Sequence, residues 1–192
     1  QLKKFREALD DYKAALSIDP DCFDTLVSRG LLFCQKSEFE RAVDDFTRAI
    51  QSKPGSADAH YNRALAFQKL DKFEMSIIDY THALKLNPSH FQAYNNRGIV
   101  YRETKLFREA IRDFDRSIAL KPDLADALWN KALTHMMIGD YENAWKYYEH
   151  RWESPNFTSP VRDFTQPLWL GQESLKGKTI LLHSEQGLGD SI

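Results

Sequence analysis

Prolines recur at a fixed interval along most of this 192-residue chain. Successive members of the set are 34 residues apart, at Pro20, Pro54, Pro88 and Pro122. A fixed interval of this length is the sequence signature of stacked structural repeats. Because each repeat contacts only its neighbours, the chain is predicted to fold as an elongated array rather than around one central core.

Aromatic and small residues keep the same interval and predict the structure inside each repeat. The aromatic columns are Phe5, Phe39, Phe73, Phe107 and Tyr141, then Tyr12, Phe46, Tyr80, Phe114 and Tyr148. The small-residue columns are Ala8, Ala42, Ser76, Ala110 and Ala144, then Ala15, Ala49, Ala83 and Ser117. Within one repeat these residues follow at steps of three and four, which places them on one stripe of an amphipathic helix.

A second helix is predicted earlier in each repeat. Its close-packing column holds only small residues, which let two helices approach: Gly30, Ala64, Gly98 and Ala132. The proline of each repeat ends the later helix, because proline lacks the N–H that the helix requires and disfavours helical geometry in the residue before it. Each repeat is therefore predicted to be a pair of antiparallel helices.

These columns, closed by a proline, resemble the tetratricopeptide repeat (TPR) family over residues 1–153. The resemblance implies an all-α superhelical solenoid. We expect a first unit reduced to its second helix, from about Leu2 to Ile18, followed by complete units. The expected units are 1–22, 23–56, 57–90, 91–124 and 125–154. Another solenoid of helical hairpins is the alternative fold.

A solenoid of this kind is suited to binding rather than to catalysis. The first helix of each unit lines a concave wall, whose evenly spaced side chains suit an extended ligand. The predicted function is a protein–protein interaction scaffold that binds an extended peptide or partner protein. The alternative is the acceptor-recognition part of a bacterial glycosyltransferase whose catalytic domain lies outside this chain.

One polar column of the first helices is a candidate ligand-binding feature. It consists of Asn62, Asn96 and Asn130, with Ser28 at the same place one repeat earlier. A carboxamide both donates and accepts, so it can bind a peptide bond whatever side chain the peptide carries. The column resembles the asparagine ladder of the TPR groove in peptide-binding glycosyltransferases. In the other interpretation, these side chains contact water or the neighbouring repeat.

Aromatic residues precede two members of this column. Tyr61 and Trp129 are predicted either to anchor a ligand in the groove or to pack between repeats.

A cationic column also lies on the first helices: Arg29, Arg63, Arg97 and Lys131. These cations could bind acidic ligands, but pairing with Asp or Glu of adjacent helices is the favoured interpretation.

Chaperone-binding TPR domains capture a C-terminal carboxylate with lysines and asparagines on successive first helices. Here the first of those positions hold Val27 and Leu31, and the later cationic pair falls on Gln92 and Asn96. Asn62 alone matches. Because a carboxylate buried without cations is costly, chaperone-tail binding is disfavoured.

No catalytic or metal-binding motif is apparent in residues 1–153, so neither cofactor nor metal is expected there. The six histidines include no pair at helical metal spacing, and the two cysteines form no Cys-x-x-Cys motif. His60 and His135 fall in packing columns and are predicted to be structural. The fragment itself is predicted not to be an enzyme.

Composition limits the partners. A formal charge of −2 argues against nucleic acid, and no apolar run approaches the length that spans a bilayer. Two cysteines in a chain of this size fit a reducing compartment, so a cytoplasmic location is expected. Self-association through the solenoid ends is also expected, because the first unit lacks the helix that would cover its apolar stripe.

The periodicity stops after Trp152, where a segment punctuated by Pro155, Pro160 and Pro167 begins. Residues 155–177 contain several aromatic side chains and are predicted to be a linker or a cap over the last repeat.

Residues 178–192 form an apolar run followed by a glycine-containing turn, and are predicted to be the start of an α/β domain. The run at 179–182 predicts a strand, and Gly187 and Gly189 a phosphate-binding turn. This stretch resembles the opening of a bacterial glycosyltransferase domain similar to family nine heptosyltransferases. The resemblance implies that Asp190 is the catalytic base of a longer parent protein.

Overall fold

The computed structural model describes residues 2–159 together with residues 174, 176 and 177. Helices dominate this part of the chain, which contains no β-strand. The α-helices are α1 Leu2–Ile18, α2 Phe23–Gln35, α3 Phe39–Ser52, α4 Ala57–Lys69, α5 Phe73–Leu86, α6 Phe91–Glu103, α7 Phe107–Leu120, α8 Ala125–Met137 and α9 Tyr141–Tyr148, and a 3₁₀-helix spans Glu149–Glu153. The predicted all-α repeat fold is confirmed. The predicted strand at 179–182, the turn at Gly187 and Gly189, and Asp190 lie outside the described residues.

Each first helix ends in the same hydrogen-bonded turn. In the α2–α3 turn, the amide of Glu38 donates to the carbonyl of Phe33 (2.9 Å), and the amide of Ser37 donates to Cys34 (3.0 Å). This Schellman arrangement requires a left-handed residue just beyond the helix. The residues at this position have φ values of 59°, 55°, 62° and 78°, at Ser37, Asp71, Lys105 and Gly139. The recurring turn sets the two helices of each pair antiparallel.

The apolar stripe of each second helix packs against the close-packing column of the first helix. Phe46, Tyr80 and Phe114 are fully buried there. A Cβ atom added to Gly30 would lie 2.6 Å from the Phe46 ring, and one added to Gly98 would lie 2.7 Å from the Phe114 ring. The glycines are therefore required by close approach of the ring rather than by backbone conformation.

The first helices form the inner wall of the array. α2 contacts α4, α4 contacts α6, and α6 contacts α8, whereas no two second helices touch within the described part of the chain. We call the surface formed by α2, α4, α6 and α8 the inner wall. None of the helices described is both long and apolar enough to cross a membrane.

Candidate functional site

A continuous set of polar side chains runs along the inner wall from α4 to α8. The amide nitrogen of Asn96 donates to the hydroxyl of Tyr61 (3.0 Å), and that of Asn95 donates to the oxygen of Asn96 (3.2 Å). Asn130 donates to the oxygen of Asn95 (3.3 Å), and its own oxygen accepts from Arg102 Nη1 (3.0 Å). We call these five residues the inner-wall network, which joins three successive repeats.

The predicted asparagine column is thus divided between two environments. Asn96 and Asn130 belong to the inner-wall network, whereas the half-buried Asn62 makes no side-chain hydrogen bond to any residue that the structure describes. Asn96 and Asn130 each use one N–H and one lone pair of the side-chain oxygen in the network, so each keeps one further donor and one further acceptor site for a ligand. Asn62 keeps both its donors and its acceptor available.

Tyr61 is fixed at one end of the network. Its ring packs against His90 at 4.5 Å and Tyr80 at 5.9 Å between centroids. Burial raises the pKa of Tyr61, and the hydrogen bond with Asn96 only partly opposes this shift. The hydroxyl therefore stays protonated at neutral pH, and can donate one hydrogen bond while it accepts from Asn96.

Arg102 lies at the other end of the network and is the cation that sequence reasoning missed. Its side chain is 13% exposed, and within residues 2–159 the nearest carboxylate is that of its chain neighbour Glu103, at 3.5 Å. A guanidinium carries five N–H donors; Asn130 accepts one hydrogen bond from Nη1, and Glu103 accepts one from Nη2. The remaining donors leave capacity for an anionic group at the inner wall.

Trp129 lies under the segment that follows the 3₁₀-helix. Phe157 meets Trp129 edge-on at 5.4 Å between ring centroids and meets Trp152 in the same way at 5.0 Å. Asp126 accepts hydrogen bonds from Ser154 and Asn156, which hold this segment against α8. The indole nitrogen of Trp129 is buried and has no acceptor among the described residues.

Replacing Phe157 by alanine tests how firmly this segment covers Trp129. Each edge-on aromatic pair contributes about 0.5–1.5 kcal/mol, so loss of both pairs is expected to lower the free energy of unfolding by roughly 1–3 kcal/mol. Tryptophan emission should also shift to the red as Trp129 becomes hydrated. The control is Tyr141→Ala, since Tyr141 is 59% exposed. Unchanged emission in Phe157→Ala would contradict the packing described.

The cationic column is occupied by structural pairs, as the favoured interpretation predicted. Arg97 makes two parallel hydrogen bonds to Asp113, from Nε to Oδ2 (2.7 Å) and from Nη2 to Oδ1 (2.8 Å). Arg29 pairs with Asp45 in the same geometry, and Arg63 with Asp79.

Two of these arginines also reach back to the preceding repeat. Arg63 donates to the hydroxyl of Thr47 (3.1 Å), and Arg97 donates to that of Thr81 (2.8 Å). Each of the two therefore ties three helices together, and its charge serves the scaffold rather than a ligand.

Lys131 departs from this pattern because Tyr147 stands where the other repeats have the pairing aspartate. The ammonium lies 4.2 Å from the centroid of the Tyr147 ring and pairs with Asp115 of the preceding repeat at 2.7 Å. Burial works to lower the pKa of Lys131, but its hydrogen bonds with Asp115 and Tyr147 outweigh that effect and raise it. Lys131 thus keeps the link between repeats without the aspartate.

His60 and His135 each contact an aspartate. His135 Nδ1 lies 2.9 Å from Asp140 Oδ2, and His60 Nδ1 lies 3.2 Å from Asp79 Oδ1. His82 lies next to the His60–Asp79 pair, with its ring edge-on to that of His60 at 5.2 Å between centroids. One nitrogen or oxygen atom from each of His60, Asp79 and His82 lies within 4.8 Å of the others. Sequence spacing alone did not predict this cluster.

The fold and the inner wall define a scaffold of helical-hairpin repeats. Models of the tetratricopeptide repeat match residues 1–22, 57–90 and 91–124, and a further TPR repeat model matches residues 30–71. The chain therefore belongs to the tetratricopeptide repeat family. No curated protein sequence matches it.

Solved structures with the same fold include a crystal structure of MamA, with 26% identity and a TM-score of 0.74 over 78% of this chain and 87% of that one. YrrB, described as a TPR protein with an unusual peptide-binding site, has 21% identity and a TM-score of 0.68, covering 78% and 77%. The first TPR domain of Spaghetti (RPAP3), bound to the HSP90 peptide SRMEEVD, has 25% identity and a TM-score of 0.60, covering 61% and 93%.

Proposed function

We propose that this chain is a protein-interaction scaffold whose inner wall binds an extended, acidic peptide segment of a partner protein. The observation that carries the proposal is the inner-wall network, because it lines up donors and acceptors across three repeats and ends at Arg102. An extended peptide offers alternating backbone donors and acceptors, which such a row can satisfy.

The network alone supplies too little energy for stable binding. A neutral hydrogen bond contributes about 0.5–1.5 kcal/mol net, whereas a micromolar complex needs about 8 kcal/mol. Apolar contacts must supply much of the difference. Three aliphatic side chains occupy one column of α4, α6 and α8 and are only partly buried: Leu65, Ile99 and Leu133. Tyr61 and Trp129 remain candidate anchors within this groove.

Arg102 gives the proposed groove a preference for acidic ligands. A hydrogen bond to a charged group contributes about 1.5–3 kcal/mol, more than a neutral one. The three arginines of the cationic column do not compete for the ligand, because Asp45, Asp79 and Asp113 already bind them.

Two of the structural neighbours bind peptides by their own descriptions, which supports a peptide ligand for this chain. The support does not extend to a chaperone C-terminal tail, because Val27 and Leu31 replace the first cation and amide of that clamp. Among these structures and family models, nothing favours the alternative of acceptor recognition for a glycosyltransferase. A cytoplasmic location and self-association through the solenoid ends remain proposals.

Selection of peptides from a displayed random library by the immobilised 192-residue chain tests the proposal. We expect the selected sequences to be enriched in Asp and Glu. Arg102→Gln should weaken binding of a selected acidic peptide by about 10- to 150-fold, which corresponds to loss of about 1.5–3 kcal/mol. Fluorescence anisotropy with the labelled peptide measures this loss.

The matched control is Arg112→Gln, since Arg112 is exposed on α7, away from the inner wall. It should bind the peptide as the wild type does. Equal affinity of the Arg102→Gln chain, with an unchanged melting temperature, would rule out the acidic preference. Absence of any selected peptide would rule out the groove itself.

A further inference from the structure

We propose that His60, Asp79 and His82 form a zinc-binding site between α4 and α5. The three side chains offer two imidazole nitrogens and one carboxylate oxygen, all within 4.8 Å of one another. Two histidines and one carboxylate, with a water in the fourth position, are a ligand set that zinc uses in proteins. The site lies apart from the inner-wall network and does not depend on the proposed peptide function.

The distance between two of the ligand atoms suits a tetrahedral ion. His60 Nδ1 and Asp79 Oδ1 are 3.2 Å apart. Zinc lies about 2.0–2.2 Å from nitrogen and oxygen ligands, so two ligands at the tetrahedral angle are about 3.3–3.6 Å from each other. The ion can therefore replace the hydrogen bond between this pair with little movement of either side chain.

Two of the three proposed ligands are buried and the third is exposed, which suits an ion that enters from solvent. His60 is 7% exposed and Asp79 is 2% exposed, so both are held by their surroundings. His82 is exposed and can swing to complete the site. The T-shaped contact between the imidazoles already brings the exposed His82 next to the buried His60.

Arg63 already binds the carboxylate of Asp79, and this contact orients the proposed ligand. Its two hydrogen bonds, of 2.6 and 2.8 Å, use one lone pair on each oxygen. An ionised carboxylate has about four lone-pair sites, so Oδ1 keeps one for a metal. Hydrogen bonds of this kind from a residue outside the ligand set commonly fix the orientation of a metal ligand.

The neighbouring repeats show that the scaffold does not require the two histidines. The position of His60 is taken by Leu26, Tyr94 and Leu128 in the other complete repeats, and that of His82 by Arg48, Arg116 and His150. The arginine–aspartate pair nevertheless forms at Arg29 and at Arg97 without them. Both histidines occur together in one repeat only, on either side of its paired aspartate.

Titration of the metal-free 192-residue chain with zinc chloride tests the site, by calorimetry and by the shift of the melting temperature. We expect His82→Arg to bind one equivalent of zinc fewer than the wild type. Its zinc affinity at this site should fall by more than about 100-fold. Loss of an outer-shell partner alone costs 10- to 100-fold, and loss of a ligand should exceed it. Zinc should raise the melting temperature of the wild type more than that of the variant.

The substitutions are chosen to preserve the fold, because each restores the residue that another repeat carries at that place. His60→Leu should lose the same equivalent as His82→Arg. His150→Arg is the control, since His150 lies on the 3₁₀-helix outside the cluster and should leave this equivalent intact.

Cobalt(II) provides an independent readout, because a four-coordinate ion absorbs visible light much more strongly than a six-coordinate one. We expect that absorption in the wild type and in His150→Arg, and its loss in His82→Arg. Equal zinc stoichiometry and affinity in all the variants would overturn the proposal, as would a wild-type chain that binds no zinc.

Discussion

Replacing Arg97 by methionine should lower the free energy of unfolding by about 3–5 kcal/mol, the cost of leaving a buried charge without its partner. Asp113 is 6% exposed and accepts both of its short hydrogen bonds from Arg97. Methionine fills much of the space of the arginine stem, so the loss reports the charge rather than a cavity. Loss of the hydrogen bond to Thr81 also weakens the link to the preceding repeat.

The double variant Arg97→Met/Asp113→Leu separates the charge from the packing. Replacing both partners of a buried ion pair by apolar side chains is often nearly neutral, so most of the lost stability should return. Urea denaturation measures the free energies, and an unchanged slope shows that the compactness of the two end states is the same. Arg112→Met, at an exposed position of α7, is the control. A double variant as unstable as Arg97→Met would contradict this account.

The repeat interval predicted the cationic column and its pairing, but not the residue that each cation binds. The aspartates Asp45, Asp79 and Asp113 lie 16 residues beyond their arginines and face them only because the intervening turn sets the angle between the two helices. That turn contains a left-handed residue, and three of the four are not glycine. Glycine as the sequence marker of this left-handed position would therefore identify only the turn at Gly139.

The repeat columns predicted only part of the inner-wall network. The asparagine column was identified, but Asn95 and Arg102 were missed, although they hold the network together. Asn95 occupies the column of Tyr61 and Trp129, so a polar residue replaces an aromatic one there. This polar residue in an otherwise aromatic column was the sequence feature that could have indicated a role for Asn95. The hydrogen bonds between the asparagine side chains cannot be predicted from residue spacing.

The histidine cluster was missed for a related reason. The sequence contains no histidine pair at helical metal spacing, and the column of His60 is otherwise apolar or aromatic, which predicts a packing role. The informative feature is that His60 departs from its column in a repeat that also carries His82. Only the structure shows that their rings meet beside Asp79, because α4 and α5 belong to one hairpin.

Replacing Phe114 by alanine should lower the free energy of unfolding by about 3–5 kcal/mol, as expected for a buried phenylalanine. The ring is fully buried and fills the space above Gly98, where the first helix has no side chain. The cost combines loss of apolar burial with the cavity that remains. The equivalent rings of the neighbouring repeats cannot move into that cavity, because they are anchored in their own hairpins.

The effect of Gly98→Ala on the free energy of unfolding should have opposite signs in the wild type and in the Phe114→Ala chain. In the wild type its Cβ would lie 2.7 Å from the buried Phe114 ring, and overpacking of this kind costs about 1–3 kcal/mol, against a gain in helix propensity of about 1 kcal/mol. In the Phe114→Ala chain the ring is gone, so the propensity gain remains and the methyl group fills part of the cavity. We therefore expect destabilisation in the first case and stabilisation in the second.

A double-mutant cycle measures this coupling directly from four denaturation curves. The control is Gly55→Ala, because a Cβ at Gly55 meets no atom within 4 Å and should have the same small effect in both backgrounds. If Gly98→Ala shifts stability by the same amount with and without the Phe114 ring, close approach of that ring is not what requires glycine at this position. A change of sign confined to Gly98 would show that the small-residue column and the aromatic column are one packing unit, repeated along the solenoid.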